Sequence, residues 1–390
     1  MTNATSGMFP ETLNRRGFLR AGALAGAATV AGCAPAVSGP GDASSPPPAA
    51  GKAPWEQEWD RLVAAAKQEG KLAPVTLVGV GQRRILEEFQ KAFPGIEVDQ
   101  QSFSSASLIA PRVIQERDAG IYSFDVALLS TGTALRELKP KGVWEPIRSL
   151  LFRPDVTDDK AWTGGFDDGF SDSERRWTYV PSLNAQRPWA IDTGQVNEAE
   201  LRTVKDLLDP KWKGKIISAD VRAGSAWTYA AIREYVGEAV LKPLLVDQQV
   251  AFTRDSRQLV EAVIRGRYAI GQGATRQVIR EFWEQGVGKH VKLIDLEGSS
   301  WALADAIFVF NRSPHPNAAR LFVNWALSKE GQQRWSEAFD VNSRRIDVPA
   351  VYPDESPIPG RKYLRSDLEA NFDKIVETRD ILYPMLDIKN

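Results

Sequence analysis

Apolar positions along the chain alternate between the spacing of buried strands and the spacing of amphipathic helices. Residues 75–80 form a short apolar run typical of a buried strand, and Ile85, Phe89 and Phe93 then recur at helical spacing. The same order continues, and the further predicted elements are strands at 96–98, 124–129, 215–219 and 268–271 and helices at 55–66, 111–119, 226–236, 256–265 and 275–285. Strands that alternate with helices pair in parallel through right-handed crossovers, so the pattern predicts an open α/β sheet. At 390 residues, two such lobes fit the length better than one.

Glycine and small polar residues are concentrated at four of the predicted strand-to-helix turns. These turns are 79–82, 130–133, 223–225 and 272–275. In open α/β sheets, ligands bind at the carboxyl ends of the strands, where such turns lie. Glycine allows the backbone to approach a ligand, and helix N-termini present unpaired N–H groups. One turn of this kind is usually only a helix cap, whereas four of them predict a polar cleft.

The N-terminal segment has the composition of an export signal followed by a tether. A pair of arginines at 15–16 precedes an apolar stretch at 21–32 that is too short to span a membrane, and Cys33, the only cysteine, follows that stretch. The arginine pair resembles a twin-arginine export signal, and the run that ends at Cys33 resembles a bacterial lipobox. The resemblance implies a signal peptide at 1–32 and lipidation of Cys33. Residues 33–54 are rich in proline, serine, glycine and alanine, which is typical of a flexible tether.

Composition and charge narrow the classes of partner. The chain has 43% hydrophobic and 25% charged residues, as an ordinary globular protein does. A formal net charge of −1 provides no basic field for nucleic acid or for an anionic membrane surface. No run of about 18 apolar residues predicts a transmembrane helix. A nucleic-acid partner is therefore not expected.

Several segments along the chain carry a family resemblance, and those at 65–71, 89–96 and 130–135 are typical of it. More specific are 206–215, which reads DLLDPKWKGK, 315–319, which reads HPNAA, and 327–332, which reads LSKEGQ. Their order and spacing resemble the bacterial extracellular solute-binding family, whose best-known branch binds ferric iron. The resemblance covers about 55–348 and implies a periplasmic-binding-protein fold of type II.

In that fold, two α/β lobes are joined by a hinge of crossing strands. The implied division is 55–188 plus 299–336 for lobe 1 and 189–298 plus 337–390 for lobe 2, with chain crossings near 188–193 and 299–309. Proteins of this kind close around a ligand, so that ligand binding shifts an equilibrium between open and closed forms.

The family resemblance also implies a function. We expect a substrate-binding lipoprotein, not an enzyme, that captures a small solute in the cleft between the lobes for an ABC importer. The expected partners are the solute, the permease in the cytoplasmic membrane, and the membrane itself through the lipid on Cys33. No cofactor is expected. The expected location is the periplasm or the cell surface, after export by the twin-arginine route.

The turns that hold iron in the iron-binding branch are different here. That branch uses a histidine, often with a glutamate, after the first strand and adjacent tyrosines after a strand of lobe 2. In this chain 81–84 reads Gly-Gln-Arg-Arg and 271–276 reads Gly-Gln-Gly-Ala-Thr-Arg, so neither turn supplies those ligands. The two histidines, His290 and His315, are expected in a surface loop and at a helix start. No metal site is therefore expected, and a ferric-iron or metal-chelate binding protein of the same fold is the alternative.

Polar and aromatic residues near the four turns and the crossings are the candidate ligand-binding residues. They are Gln82, Arg83, Thr131, Thr133, Trp189, Arg222, Ser225, Gln272, Thr275, Arg276 and Trp301. Arginine forks and helix N-termini suit a carboxylate or a phosphate. Tryptophan can stack on a sugar or an aromatic ring. The set predicts a small organic anion as the solute.

Enzyme classes fit the sequence less well. Gly79 and Gly81 follow a strand and Asp99 ends the next one, as in dinucleotide-binding proteins, but Arg84 occupies the third glycine position. The sequence has no G-x-S-x-G motif of a serine hydrolase, and no H-E-x-x-H motif or cysteine cluster for zinc. An NAD-dependent enzyme and a carbohydrate-active enzyme with a carboxylate pair are the distant alternatives.

Overall fold

The computed structural model describes residues 52–222, 225–303 and 306–388. The predicted signal peptide, Cys33 and all but the last residues of the predicted tether lie outside the described residues. Within the described ranges, no helix has both the length and the apolar character needed to cross a membrane.

Helices and strands alternate over most of the described chain. The helices are α1 (Pro54–Glu69), α2 (Val80–Ala92), α3 (Ala106–Asp118), α4 (Thr131–Thr133), α5 (Ile147–Leu150), α6 (Pro154–Thr157), α7 (Ala226–Tyr235), α8 (Ser256–Ile264), α9 (Arg276–Glu284), α10 (Pro316–Ala326), α11 (Lys329–Phe339) and α12 (Phe372–Met385). The strands are β1 (Lys71–Leu72), β2 (Pro74–Leu77), β3 (Glu97–Val98), β4 (Gln101–Phe103), β5 (Val126–Leu129), β6 (Thr178–Tyr179), β7 (Asn184–Ala185), β8 (Trp189–Asp192), β9 (Ile216–Ala219), β10 (Ala251–Thr253), β11 (Ile270–Gln272), β12 (Val291–Ile294), β13 (Trp301–Leu303), β14 (Ala306–Val309) and β15 (Leu364–Arg365).

The first lobe is built on a five-stranded sheet in the order β4-β2-β5-β14-β6. β2 pairs in parallel with β4 and β5, and β14 runs antiparallel between β5 and β6. Successive side chains of a strand point to opposite faces. Val126 and Leu128 pack in the same cluster as residues of α1, α2, α10 and α11, whereas Ala127 and Leu129 pack with residues of α3. Both faces of β5 are covered, which explains why every residue of this strand is apolar.

The second lobe repeats this design with a sheet in the order β10-β9-β11-β8-β12. β9 pairs in parallel with β10 and β11, and β8 runs antiparallel between β11 and β12. Trp189 and Ile191 of β8 pack with residues of α7 and α12, and Ala190 packs with residues of α8 and α9 on the opposite face. The α/β class predicted from the sequence is confirmed.

A small three-stranded sheet, in the order β15-β13-β7, lies where the chain passes between the two larger sheets. β7 precedes the first strand of the second sheet, and β13 precedes β14, which returns to the first sheet. β7 thus lies just before the predicted crossing at 188–193, and Trp189–Asp192 forms an inner strand of the second sheet. The exact division of residues between the lobes stays a prediction. α11 continues to Phe339, and its Ala338 still belongs to the first lobe's core.

Asp125, just before β5, connects three parts of the first lobe. Its carboxylate accepts hydrogen bonds from the backbone N–H groups of Ala73 at 2.6 Å and His315 at 2.8 Å, and from the Ser313 hydroxyl at 2.5 Å. The His315 ring lies 2.9 Å from the same carboxylate. Asp125 is fully buried, so its carboxylate depends on these donors for its hydrogen bonds.

We expect Asp125→Ala to lower the free energy of unfolding by about 3 kcal/mol, because several donors lose their buried acceptor together. Asp99→Ala is the control, since Asp99 forms an ion pair with Lys71 and its side chain is 48% exposed. That change should cost less than about 1 kcal/mol. Urea unfolding followed by tryptophan fluorescence measures both values. Equal losses in the two variants would contradict the role given to Asp125.

Candidate functional site

A cleft of about 710 Å³ lies between the start of α2 in the first lobe and the start of α9 in the second. We call it the first cleft. Each of these helices follows a parallel strand, β2 or β11, so the cleft lies at the carboxyl ends of both sheets, as ligand sites in such sheets do. Its lining includes Val80, Gly81, Arg84, Asn184, Gln186, Arg187, Thr275, Arg276, Arg280, Asp340, Tyr352 and Glu355.

Two glycines give the walls of the first cleft their shape. A Cβ on Gly81 would lie 2.7 Å from Cδ1 of Phe339, so only glycine lets the end of α11 pack on the start of α2. Gly273 has φ of +93°, and a Cβ there would lie 2.5 Å from the Cβ of Ala219. Glycine is favoured at such φ values because other residues are strained there. Thr275 then caps α9, and its hydroxyl accepts a hydrogen bond from Val278 N–H at 3.4 Å.

Acidic residues of the segment after α11 pair with arginines of the first cleft. Arg276 forms ion pairs with Asp354 and Glu355, and its guanidinium carbon lies 4.7 Å from the centroid of the Tyr352 ring. Arg187 donates a 2.7 Å hydrogen bond to the backbone carbonyl of Asp354. Burial raises the pKa of Glu355, and the neighbouring Arg276 opposes that rise. Arg276 is therefore already neutralised within the protein.

Arg280, one helical turn after Arg276, also has partners from this segment. It forms an ion pair with Asp340 and donates a 2.8 Å hydrogen bond to the Tyr352 hydroxyl. Tyr352 in turn donates to Asp340 at 2.7 Å. Asp340 is the residue that ends α11, so these contacts join a helix of the second lobe to a helix end of the first.

Arg84 is the exception among the arginines that line the first cleft. It lies on α2 and is exposed, and its guanidinium has neither a hydrogen bond nor an ion pair with any of the described residues. Val80 and Gly81, which lie one turn before it on the same helix, line the same cleft. Arg84 is thus the arginine of the cleft that the described part of the chain does not neutralise.

A second cleft, of about 340 Å³, lies between the turn after β5 and the start of α7. Its walls combine the Ser130–Gly132 turn of the first lobe with Trp227 of the second. Asp367 also lines it, but its carboxylate accepts hydrogen bonds from Arg365 and Ser171. Apolar side chains of α12 complete the wall, and this second cleft is the less polar of the two.

The structure brings together only some of the residues predicted from the sequence. Thr275 and Arg276 line the first cleft, and Thr131 lines the second. The others line neither cleft, and they are Gln82, Arg83, Thr133, Trp189, Arg222, Ser225, Gln272 and Trp301.

Trp189 and Gln272 are buried and hydrogen-bonded within the second lobe. The Trp189 indole N–H donates to the Ser299 hydroxyl at 2.9 Å. The Gln272 side chain accepts from the Ser218 hydroxyl and donates to the Thr228 hydroxyl, each at 2.8 Å. These bonds tie the ends of β9 and β11 to α7. In this structure both residues support the walls of the site and are not exposed to a solute.

The predicted residues of the other turns have local partners. Arg83 faces solvent and lies 3.7 Å from Glu87. Arg222 pairs with Asp220 and holds the pKa of that carboxyl at about 2. Ser225 donates a 2.6 Å hydrogen bond to the Asp220 carbonyl.

Gln82 and Thr133 are partly exposed at the starts of their helices, and Trp301 lies in the crossing strand β13. Trp301 packs in a small cluster with Ala230, Ala231 and Leu364.

Sequence reasoning missed several residues that line the first cleft. They are Arg84, Arg187, Arg280, Tyr352 and Glu355. Helical periodicity could have found Arg84, since it lies one turn after the glycine of its own turn. No local signal marks Tyr352 or Glu355, because they reach the cleft from a distant part of the chain.

A family model for the bacterial extracellular solute-binding proteins matches residues 77–333 of this chain. This match covers well over half of the sequence. The chain belongs to the bacterial extracellular solute-binding protein family.

Solved structures of solute-binding proteins share the fold at low sequence identity. Iron-bound HitA from Pseudomonas aeruginosa is 17% identical, with 82% of this chain and 99% of HitA covered and a TM-score of 0.54. AfuA from Actinobacillus pleuropneumoniae, with fructose-6-phosphate bound, is 18% identical, with 82% and 99% covered and a TM-score of 0.54. The spermidine/putrescine-binding protein PotD from Streptococcus pneumoniae is 14% identical, with 82% and 99% covered and a TM-score of 0.59.

These likenesses confirm the type II periplasmic-binding-protein fold expected for a bacterial extracellular solute-binding protein.

A search of curated protein sequences gives no significant match to this chain. Among the described residues, no group of three or more histidine, cysteine, aspartate or glutamate side chains is arranged to hold a metal ion.

We expect Gln272→Ala to lower the free energy of unfolding by about 1–3 kcal/mol, because the buried Thr228 hydroxyl loses the amide that donates to it and the Ser218 hydroxyl loses one of its acceptors. Gln277→Ala is the control, since Gln277 lines the first cleft from the exposed side of α9. It should change stability by no more than about 0.5 kcal/mol. Chemical unfolding measures the free energy of unfolding of both variants. A stable Gln272→Ala protein that has lost only solute affinity would return Gln272 to the ligand-binding residues.

Proposed function

We propose that this solute-binding protein serves an ABC importer and captures a small organic anion in the first cleft. The observation that carries the proposal is Arg84, the cation of that cleft that has no partner among the described residues. An unpaired guanidinium can form two parallel hydrogen bonds with a carboxylate or a phosphate. The solute would supply the negative charge that none of the described residues provides for Arg84.

Two helix starts that face the first cleft favour the same sign of charge. α2 has 13 residues and α9 has 9, so each carries a substantial helix dipole. Their first N–H groups lack partners within the helix and can bind an anion. A solute between them would also meet Thr275 and Gln186, whose polar side chains can bind hydroxyl groups. A negatively charged solute that also carries hydroxyls matches this lining best.

A bare ferric ion matches the first cleft poorly. Its described lining contains no histidine or cysteine, and its tyrosine, Tyr352, is already hydrogen-bonded to Asp340 and Arg280. Of the four arginines that line the same cleft, Arg84 has no anionic partner among the described residues, whereas the others pair with acidic residues of the protein. Like charges repel where water is partly excluded, so a trivalent cation near Arg84 meets an unfavourable field. The organic anion is the better-supported solute.

The two lobes and their short crossing strands are consistent with closure around the solute. β7 and β13 pair with each other in the three-stranded sheet, so a small change at these strands reorients one lobe against the other. Solute that contacts Arg84 in the first lobe and the start of α9 in the second would stabilise the closed form. We propose that a membrane permease recognises this form and that no chemical step follows. PotD, of similar fold, is a substrate-binding protein of an ABC transporter.

We also propose that the protein is exported by the twin-arginine route and anchored by lipid on Cys33. The support is the sequence alone, namely the arginines at 15–16, the apolar stretch at 21–32 and the lipobox-like run before Cys33. The tether that follows would let the two lobes stand clear of the membrane.

We expect Arg84→Gln to weaken binding of the co-purifying solute by about 1.5–3 kcal/mol, the range for hydrogen bonds to a charged group. Arg83→Gln is the matched control, since it removes the same charge from the same helix outside the cleft. Its effect should stay below about 0.5 kcal/mol. Mass spectrometry identifies the solute, and calorimetry measures affinity. A larger loss of solute affinity in Arg83→Gln than in Arg84→Gln would contradict the assignment of Arg84 to solute binding.

For the anchor, we expect Cys33→Ala to move the exported protein from the membrane fraction to the soluble fraction. Two or more acyl chains hold a protein firmly on a membrane, and without them the tether carries no apolar anchor. Fractionation after a high-salt wash measures the distribution. Changing Arg15 and Arg16 to lysine should block export and is the companion variant. A Cys33→Ala protein still bound to membranes after that wash would rule out the anchor.

A further inference from the structure

The two lobes are joined across the first cleft by an ionic contact that needs no solute. On one side is Arg280 of α9, whose helix packs into the second lobe through Ile279 and Phe282. On the other side is Asp340 at the end of α11, where Phe339 packs against the first lobe's core. The contact between Arg280 and Asp340 therefore connects two separate hydrophobic cores.

Tyr352, in the segment that follows α11, completes this contact. Its hydroxyl accepts a 2.8 Å hydrogen bond from Arg280 and donates a 2.7 Å hydrogen bond to Asp340. Its backbone N–H donates to the Asn342 side chain at 2.8 Å, and its carbonyl accepts from that side chain at 2.7 Å. Asn342 N–H in turn donates to the side chain of Asn184, in β7, at 2.8 Å. The acceptor for Arg280 is thus fixed to the crossing strands.

We propose that Arg280, Asp340 and Tyr352 form a latch that holds the mouth of the first cleft together before solute arrives. The latch rests on the proposed function, because it matters only if the lobes open and close. Arg280 and Asp340 are 41% and 44% exposed, so water and salt weaken the pair. Exposed pairs of this kind shift an equilibrium by up to about fivefold. That is enough to bias the open and closed forms without locking either.

The same residues could instead serve only to stabilise the end of α11, and Asp340→Asn separates the two roles. Asp340 has φ of +58°, a conformation that asparagine adopts about as easily as aspartate. The variant keeps the helix end and removes the charge that faces Arg280. A purely local role predicts a change in stability alone, whereas a latch predicts a change in the distance between the lobes.

Small-angle scattering on the solute-free full chain tests the latch. The samples are the wild type, Asp340→Asn, Arg280→Gln and the double variant, each in about 10 mM and about 1 M salt, where the screening length falls from about 30 Å to about 3 Å. The matched control is Glu281→Gln, which removes a charge from the same helix. Glu281 pairs with Arg257 on α8, so that pair lies within the second lobe.

A latch predicts that the wild type is compact in low salt and expands in high salt. Asp340→Asn and Arg280→Gln should be expanded already in low salt, and the double variant should expand no further than either, because both changes remove one contact. Glu281→Gln should behave as the wild type. Tyr352→Phe, which keeps the ring over Arg276, should expand less than Asp340→Asn.

Two results would overturn the latch. One is an unchanged radius of gyration in Asp340→Asn and Arg280→Gln at both salt concentrations. The other is an equal expansion in Glu281→Gln, which would reflect net charge and not this contact. No solute enters the measurement, so a failed latch leaves the assignment of Arg84 to the solute untouched.

Discussion

In both lobes a parallel strand is followed directly by a helix that begins at the carboxyl edge of the sheet. This geometry places the start of α2 after β2 and the start of α9 after β11, on opposite walls of one cleft. The short crossing strands β7 and β13 keep these two edges facing each other. Unpaired N–H groups and the positive ends of two helix dipoles therefore converge, and the charges of the cleft are arranged around them.

The arginines of the first cleft differ in whether an acidic residue of the protein neutralises them. Arg276 and Arg280 are neutralised by acids that the chain brings back from beyond α11. These pairs hold α9 against the segment that follows α11, and they leave the helix with little net positive charge for binding a solute. Arg84 on the opposite wall receives no such partner from the described residues. Among the described residues, Arg84 is thus the arginine of the first cleft without an acidic partner, and we propose that it binds the solute.

Local sequence patterns were sufficient for the class of the fold, and two of the turns that they marked, 79–82 and 272–275, border the first cleft. The period of apolar residues predicted β2, α2, β5, β9, α7 and α9, since burial on both faces of a parallel sheet leaves a clear signal. The same patterns did not separate Arg83 from Arg84, because that choice depends on which face of α2 meets the cleft. They also placed Gln272 at the ligand, whereas its amide bonds to buried hydroxyls. Local patterns could not predict the contact between Glu355 and Arg276, since nothing near Glu355 in the sequence indicates that the chain returns to α9.

The most direct test of the central claim is a crystal structure of the protein with the solute that co-purifies with it. We expect density for a small anionic molecule in the first cleft, with a carboxylate or phosphate within hydrogen-bonding distance of the Arg84 guanidinium and close to the start of α9. A metal ion in that cleft, a cationic solute there, or a solute bound elsewhere with Arg84 still unpaired would contradict it.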